Sequence, residues 1–317
     1  MEANGYKIGP NADLANANLN EAELSGANLT GANLSGAKLT SANMFDANLE
    51  GAYLTGANLF RANLQLANLT DADLSGAELL LANLESAYLQ GANLTDANLA
   101  HANLAYVNMI IQGPRGPNLT NANLTKANLT NADLTNANLT NANLTNTKLT
   151  GTSLCYAILE GANLHGTQLA LTYLQGANLT KANLRGANLQ LANLQGAQLS
   201  HSYFDSSPDM KQANLTGANL QGADLSGTNL FVAHLMRSNL SGINLTNANL
   251  EASYLEGANL TGAKLNNANL KRADLYRADL TDADLTDADL KGANLEGANL
   301  TGAKLRGVTM PDGTIHV

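Results

Sequence analysis

Residues 131–146 read NADLTNANLTNANLTN, and the order of residue types in this stretch decides the fold. Leucine returns every five residues, alanine stands two positions before it, and an asparagine or aspartate lies between them. An α-helix turns about 100° per residue, so leucines five apart would spiral around it instead of forming one stripe. In a straight strand side chains alternate, so successive leucines would point to opposite faces. The repeat therefore predicts neither a helix nor a simple strand.

A chain that turns a corner once in every five residues removes this conflict. The alanine and the leucine then point inward across a short extended segment, and the polar residue between them points outward. The next two residues form the bend. Glycine and asparagine are frequent at the second bend position, where a corner can demand backbone conformations that other residues resist. The pattern predicts a coil with short flat sides.

The number of sides follows from the spacing of exceptions to the pattern. Inward threonines occur in pairs that are four repeats apart, and the outward leucines Leu171 and Leu191 share that spacing. Because exceptions that compensate one another should stack on neighbouring coils, we expect a four-sided coil. Inward positions run from 14 to 109, from 119 to 204 and from 215 to 310, which gives 58 repeats and roughly 15 coils.

The A-(N/D)-L-x-x pattern resembles the pentapeptide-repeat family over residues 12–310. The ending GVTMPDGTIHV is similar to the C-termini of cyanobacterial members. The resemblance implies an all-β fold, the right-handed quadrilateral parallel β-helix. We expect residues 1–11 to form an N-terminal cap and residues 311–317 a C-terminal tail or cap.

Two irregular segments interrupt the repeat, at 105–118 and at 205–212. In the first, Pro114 takes a leucine position, and because proline cannot donate a ladder hydrogen bond, this side is expected to bulge outward. In the second, a one-residue insertion shifts the phase, which predicts a short loop at one corner. Loops on rigid scaffolds often carry function, so the first segment either covers its own bulge or binds a partner.

Outward apolar residues supply the other candidate contacts. Leu171, Tyr173 and Leu191 are the members of this group that the pattern predicts to be contiguous. The candidate partner-contact residues are Tyr106, Ile110, Ile111, Arg115, Leu171, Tyr173 and Leu191.

The residues that usually carry chemistry are too scattered to form a catalytic or metal site. His101 and His201 would share a face but stand five coils apart. Cys155 is the only cysteine and has no histidine near it in sequence. The acid-rich run between Asp274 and Asp289 places its carboxylates on successive sides of one coil, where they point away from each other. We therefore predict no enzyme, no cofactor and no bound metal.

Charge separates the remaining classes of function. The chain has a net charge of −9, which disfavours direct nucleic-acid binding. Some family members mimic DNA and act on DNA gyrase, a type II topoisomerase. Here residues 1–100 carry a net −8, residues 101–200 a net +3 and residues 201–317 a net −4, so the positive middle interrupts the negative stripe that a mimic needs. We expect a non-enzymatic scaffold for protein–protein interaction, with DNA mimicry as the alternative.

The N-terminus lacks the basic start and apolar run of a secretion signal, and no apolar stretch is long enough to cross a membrane. The expectation is a cytoplasmic protein without a membrane span and with an unidentified protein partner. The edges of the end coils expose unpaired backbone groups unless they are capped. This raises the hypothesis of an end-to-end homo-oligomer.

Overall fold

The structure, a computed structural model, describes residues 1–108, 116–204 and 209–317. It divides into two compact units, Met1–Asn163 and Leu164–Val317. A short antiparallel hairpin of β1 (Glu2–Ala3) and β2 (Tyr6–Lys7) opens the first unit. Elsewhere in the described ranges, regular pairing takes the form of single-residue bridges, which are parallel between coils and antiparallel between Thr309 and Ile315. No helix in these ranges has the length and apolar character that crossing a membrane requires.

Parallel bridges between outward residues define the coils within each unit. In the first unit Asn123 pairs with Asn143, and in the second Asn239 pairs with Asn259. The partners in each pair are four repeats apart, so the predicted four-sided coil is confirmed. The fold is the right-handed quadrilateral β-helix.

The backbone of each repeat is paired by neighbouring coils and by its own corner. Asn143 donates its N–H to the Ala122 carbonyl at 2.9 Å, and its carbonyl accepts the Leu124 N–H at 2.7 Å. At the corner, the Ala122 N–H closes a tight turn onto the Leu119 carbonyl at 3.0 Å. The Asn121 N–H donates to the Thr140 carbonyl of the next coil at 2.9 Å. In each repeat one N–H, that of the first corner residue, has no backbone acceptor.

The outward asparagine or aspartate satisfies that remaining N–H. Asn123 Oδ1 accepts the Thr125 N–H at 3.2 Å and the Thr125 hydroxyl at 2.7 Å. This is an Asx turn, in which a short polar side chain replaces a backbone acceptor. The requirement explains why asparagine or aspartate stands between alanine and leucine in the motif.

The second corner position requires a left-handed backbone. Asn121 and Asn141 have φ values of 57° and 56°, and Gly151 has a φ of 70°. Glycine enters this region without steric cost, and asparagine enters it more readily than most residues. The expectation that glycine and asparagine are selected at corners is confirmed.

The core consists of the inward alanines and leucines, and its two ends differ. At the N-terminus the hairpin contacts the first coil, since the Asn4 amide donates to the Asn20 carbonyl at 3.1 Å and the Tyr6 hydroxyl accepts the Asn18 N–H at 3.3 Å, and Leu14 is 2% exposed. At the C-terminus Leu295, Leu300 and Leu305 are only partly buried. Their N–H groups donate to no described residue, whereas the equivalent groups of earlier coils donate to the coil that follows. The tail folds back on the last coil, since Thr309 bridges Ile315 and the His316 N–H donates to the Val308 carbonyl at 2.8 Å, but it leaves these three N–H groups without a described acceptor.

The register across the first irregular segment shows a five-residue insertion between two consecutive sides. Tyr88 pairs with Asn108 at the usual spacing of four repeats, but Asn93 pairs with Asn118, one repeat length further along the chain. Asn108 and Asn118 therefore lie on consecutive sides, although ten residues separate them. Pro117 is buried at an alanine position. The sequence count passes from position 109 to position 119 and omits Pro114, so it agrees with the pairing across this segment.

The second irregular segment is shorter than the 205–212 predicted from sequence. Asp209 bridges to both Asn188 and Asn229, and Met210 is fully buried. The regular repeat thus resumes at Asp209. The third series of inward positions begins at Met210 and not at Leu215.

Thr228 is an inward residue whose hydroxyl has no hydrogen-bond partner within the described structure. By contrast, the buried Thr167 hydroxyl donates to the Leu164 carbonyl at 2.7 Å. An unsatisfied buried polar group costs about 1–3 kcal/mol, so we expect Thr228→Val to raise the free energy of unfolding by about 1–2 kcal/mol. Denaturant unfolding measures the change. The matched Thr167→Val variant loses a made bond and should be destabilised, and equal changes in the two variants would contradict this account.

Candidate functional site

Three of the predicted contact residues lie together on the second unit. The Leu171 N–H donates to the Gln190 carbonyl and the Leu191 N–H to the Lys211 carbonyl, each at 3.1 Å, so the two leucines occupy the same corner on successive coils. Tyr173 lies on the adjoining side, where it pairs with Asn193. The exposed fractions of Leu171, Tyr173 and Leu191 are 52%, 51% and 51%. We call these three residues the Leu171 patch.

The fold does not need these side chains. Leu171 and Leu191 have φ values of 59° and 57°, a conformation that bulky residues enter at a cost. Tyr173 stands where an asparagine or aspartate would form the Asx turn. Each residue of the patch therefore replaces one that the local backbone would favour, which is typical of positions kept for function.

The other candidates lie in or beside the first irregular segment. Tyr106 is 54% exposed, has a φ of 57° and belongs to the first unit. Ile110, Ile111 and Arg115 lie outside the described residues. The structure therefore supports Tyr106 as an exposed corner residue and does not test the protrusion itself.

Sequence reasoning missed a second aromatic group on the side that carries Tyr173. The rings of His234 and Tyr254 lie 4.8 Å apart on successive coils. Phe231 precedes them at the neighbouring corner and is 37% exposed. The one-residue insertion hides this alignment, because it makes the separation of Tyr173 and His234 one residue longer than three regular coils. Correcting the phase before comparing coils would have found the group.

The acidic run offers charge but no catalytic pair. The Thr286 hydroxyl lowers the pKa of the Asp284 carboxyl to about 2, against the opposite effect of partial burial, and Lys304 lies 3.1 Å from the carboxylate. Lys271 lies 3.1 Å from Asp289, on the next side of the coil. The carboxylates are engaged by hydroxyls, amides and lysines and not by one another. No group of three histidine, cysteine or acidic residues suited to a metal ion occurs in the described parts of the chain.

The coils define this chain as a β-helical repeat protein, and the comparison with known families gives the particular class. The family model described as Pentapeptide repeats (8 copies) matches most of residues 11–310. The chain belongs to the pentapeptide-repeat family. The matched segments are 11–44, 42–79, 77–110, 118–155, 137–172, 148–186, 167–205, 209–231, 233–272 and 273–310.

Solved structures of the same family resemble the chain to different degrees. HetL from Nostoc sp. strain PCC 7120, described as involved in heterocyst differentiation regulation, is 33% identical over 83% of this chain and 92% of its own, with a TM-score of 0.28. Rfr23 from Cyanothece 51142 is 31% identical over 40% of this chain and 58% of its own, with a TM-score of 0.15. A trypsin-treated QnrB1, a plasmid-mediated fluoroquinolone resistance protein, is 17% identical over 67% of this chain and 88% of its own, with a TM-score of 0.38.

A search of the curated proteins gives no match. The similarity to QnrB1 is too low to show more than a shared fold. The identity to HetL and the family match place the chain among cyanobacterial-type pentapeptide-repeat proteins.

Proposed function

We propose that this protein is a non-enzymatic β-helical scaffold that binds a protein partner through the Leu171 patch. The observation that carries the proposal is the stacking of two half-exposed leucines beside a half-exposed tyrosine at positions where the fold favours asparagine or glycine. Burying such side chains against a partner stabilises a complex by about 25 cal/mol for each Å² of apolar surface removed from water. HetL, at 33% identity, is described as taking part in the regulation of differentiation, which favours a regulatory role for the partner complex.

The test replaces the patch with the residues that the repeat itself prefers. Leu171→Asn combined with Leu191→Asn should relieve two strained corners, so the melting temperature should stay level or rise. In affinity capture from a lysate of the native host, the double variant should recover at least about tenfold less of the partner than the wild type, as expected when interface anchors are lost. The matched control is Leu66→Asn with Leu81→Asn, which changes two exposed corner leucines of the first unit. If the patch variant recovers as much of the partner as the wild type does, the proposal is wrong.

DNA mimicry is less well supported as an alternative. The net +3 of residues 101–200 lies between two acidic stretches, whereas duplex DNA presents an uninterrupted negative charge. A gyrase supercoiling assay tests this alternative directly. Inhibition of supercoiling at a stoichiometric concentration of this protein would support it.

We also propose a cytoplasmic location, which cell fractionation of the host tests. For association of two copies, we propose the last coil as the contact, because the N–H groups of Leu295, Leu300 and Leu305 donate to no described residue. Leu300→Glu would place a charge on the partly exposed end coil. We expect wild type to show concentration-dependent sedimentation and this variant to sediment as a monomer. A wild type that is monomeric at every concentration would contradict end-to-end association.

A further inference from the structure

The side that carries Tyr173 continues along the second unit. Successive parallel bridges join Tyr173 to Asn193, then to Asn214, His234 and Tyr254, and the series goes on beyond them. We call this side, with the two corner residues on each edge, the Tyr173 face. Its central residues are Tyr173, Asn193, Asn214, His234, Tyr254, Asp274 and Asn294.

A second apolar group lies on this face. The His234 and Tyr254 rings stack at 4.8 Å with an interplanar angle of 32°. Phe231 and Val232 form the corner before His234, and Met236 begins the corner after it. We call these five residues the His234 cluster. Three coil steps separate His234 from Tyr173, or about 14 Å at the usual strand spacing, so one partner can cover both groups.

The His234 cluster is built against the preferences of the fold. Val232 has a φ of 56° and is the only β-branched residue with a positive φ in the described chain. β-Branched side chains are genuine outliers in this region. His234 and Tyr254 replace the Asx-turn residue, and no described residue accepts the N–H of Met236 or Glu256. Departures from local preference that cluster on one surface point to a role outside the fold.

The Tyr173 face is positive although the chain is acidic. It carries six basic and four acidic residues, whereas the rest of the second unit carries five basic and nine acidic ones. Lys211 and Lys271 pair with aspartates of the neighbouring side, at 3.8 Å and 3.1 Å. Arg237, Arg272 and Arg277 form no ion pair with any residue the structure describes. Guanidinium groups without ion pairs beside exposed aromatic rings are the composition that protein interfaces favour.

We propose that the Tyr173 face binds an acidic protein segment, with an apolar side chain of that segment packed on the His234 cluster. Its carboxylates pair with Arg237 and Arg272, which lie at the two edges of the face. The inference rests on the proposed scaffold function and adds the chemistry of the partner. Charge complementarity of this kind selects the partner and speeds its association.

A nucleic acid fits this surface less well. Glu251, Glu256 and Asp274 lie among the arginines. A polyphosphate with closely spaced charges would meet these carboxylates, whereas a protein segment can place its acids opposite the arginines alone.

The test uses the full chain and a fluorescent peptide of glutamates interspersed with leucine and tyrosine. The matched peptide has lysine at every glutamate position, and oligo(dT) is the third probe. We expect the acidic peptide to bind at least about tenfold more tightly than the lysine peptide and to weaken as salt increases. Equal binding of the two peptides, or tighter binding of oligo(dT), would overturn the proposal.

Variants locate the binding on the face without weakening the fold. Val232→Asn and Tyr254→Asn introduce the residues that the corner and the Asx turn prefer. Each should keep or raise the melting temperature while it weakens acidic-peptide binding about tenfold. The matched controls are Leu81→Asn and Tyr88→Asn, which make the same changes at exposed positions of the first unit, and these should bind as wild type does.

The outcomes separate this inference from the proposed function. If host-partner capture depends on the Leu171 patch but acidic-peptide binding is unaffected by Val232→Asn and Tyr254→Asn, the scaffold proposal stands and the acidic-segment inference is wrong. If neither set of variants changes capture, both are wrong. A wild-type chain whose self-association is abolished by Val232→Asn would assign the face to a second copy and overturn the acidic-segment inference.

Discussion

We expect Leu79→Ala to lower the free energy of unfolding by about 2–5 kcal/mol, the range found for leucine-to-alanine changes in packed cores. Leu79 is fully buried, and its N–H donates to the Asn98 carbonyl of the next coil at 2.7 Å. The interior is filled by leucines from four sides and by alanines that leave little room for neighbours to move. A cavity there should collapse poorly, so we place the expected loss in the upper half of the range.

The matched control is Leu81→Ala, in the same run of three leucines. Leu81 is 44% exposed at a corner with a φ of 62°. Because truncating it removes little buried surface, we expect a change within about 0.5 kcal/mol. Denaturant midpoints give the global effect, and hydrogen exchange of the coils on either side locates it, since solenoid coils contact mainly their neighbours. Similar losses in the two variants would mean that the inward and outward positions have been confused.

The same run shows why so much of this fold follows from sequence. Leu79, Leu80 and Leu81 are the same residue type, yet the phase of the repeat places only Leu79 in the core. The period of five also predicts the corner, its left-handed residue and the coil of four sides. Local preference and global fold agree at almost every position, which is the condition under which sequence patterns are most informative.

The two irregular segments follow less directly from the period of five than the regular coils do, for a physical reason. A five-residue insertion near Pro114 leaves the phase unchanged, so the phase alone cannot distinguish an added repeat from a loop, and the proline itself is the sign of the break. Only the pairing of Asn93 with Asn118 reveals the longer coil. The one-residue insertion before Asp209 is visible as a phase shift, but it also misaligns Tyr173 from His234. The Leu171 patch lies wholly before that shift, and it was predicted, whereas the His234 cluster was not.

A proline substitution in the backbone ladder is also expected to be strongly destabilising. Asn98 donates its N–H to the Ala77 carbonyl at 2.9 Å, and its carbonyl accepts the Leu79 N–H at 2.7 Å. Asn98→Pro removes the donated bond, because proline has no N–H, and it places the proline ring against the neighbouring coil. We expect it to cost about 3 kcal/mol or more beyond the loss of the side chain.

Asn98→Ala at the same position isolates the side-chain contribution. The Asn98 amide donates to Glu78 at 2.7 Å, and its oxygen accepts the Ala100 N–H at 3.2 Å. The same oxygen also accepts the Asn123 amide of the following coil at 3.0 Å. The loss of these three partly buried bonds should cost about 1.5–4.5 kcal/mol, at roughly 0.5–1.5 kcal/mol each. The difference between the two variants measures the ladder bond and the strain of proline. Equal losses of unfolding free energy in the two variants would show that side-chain packing and amide contacts hold the coils together. The backbone ladder bonds would then contribute little.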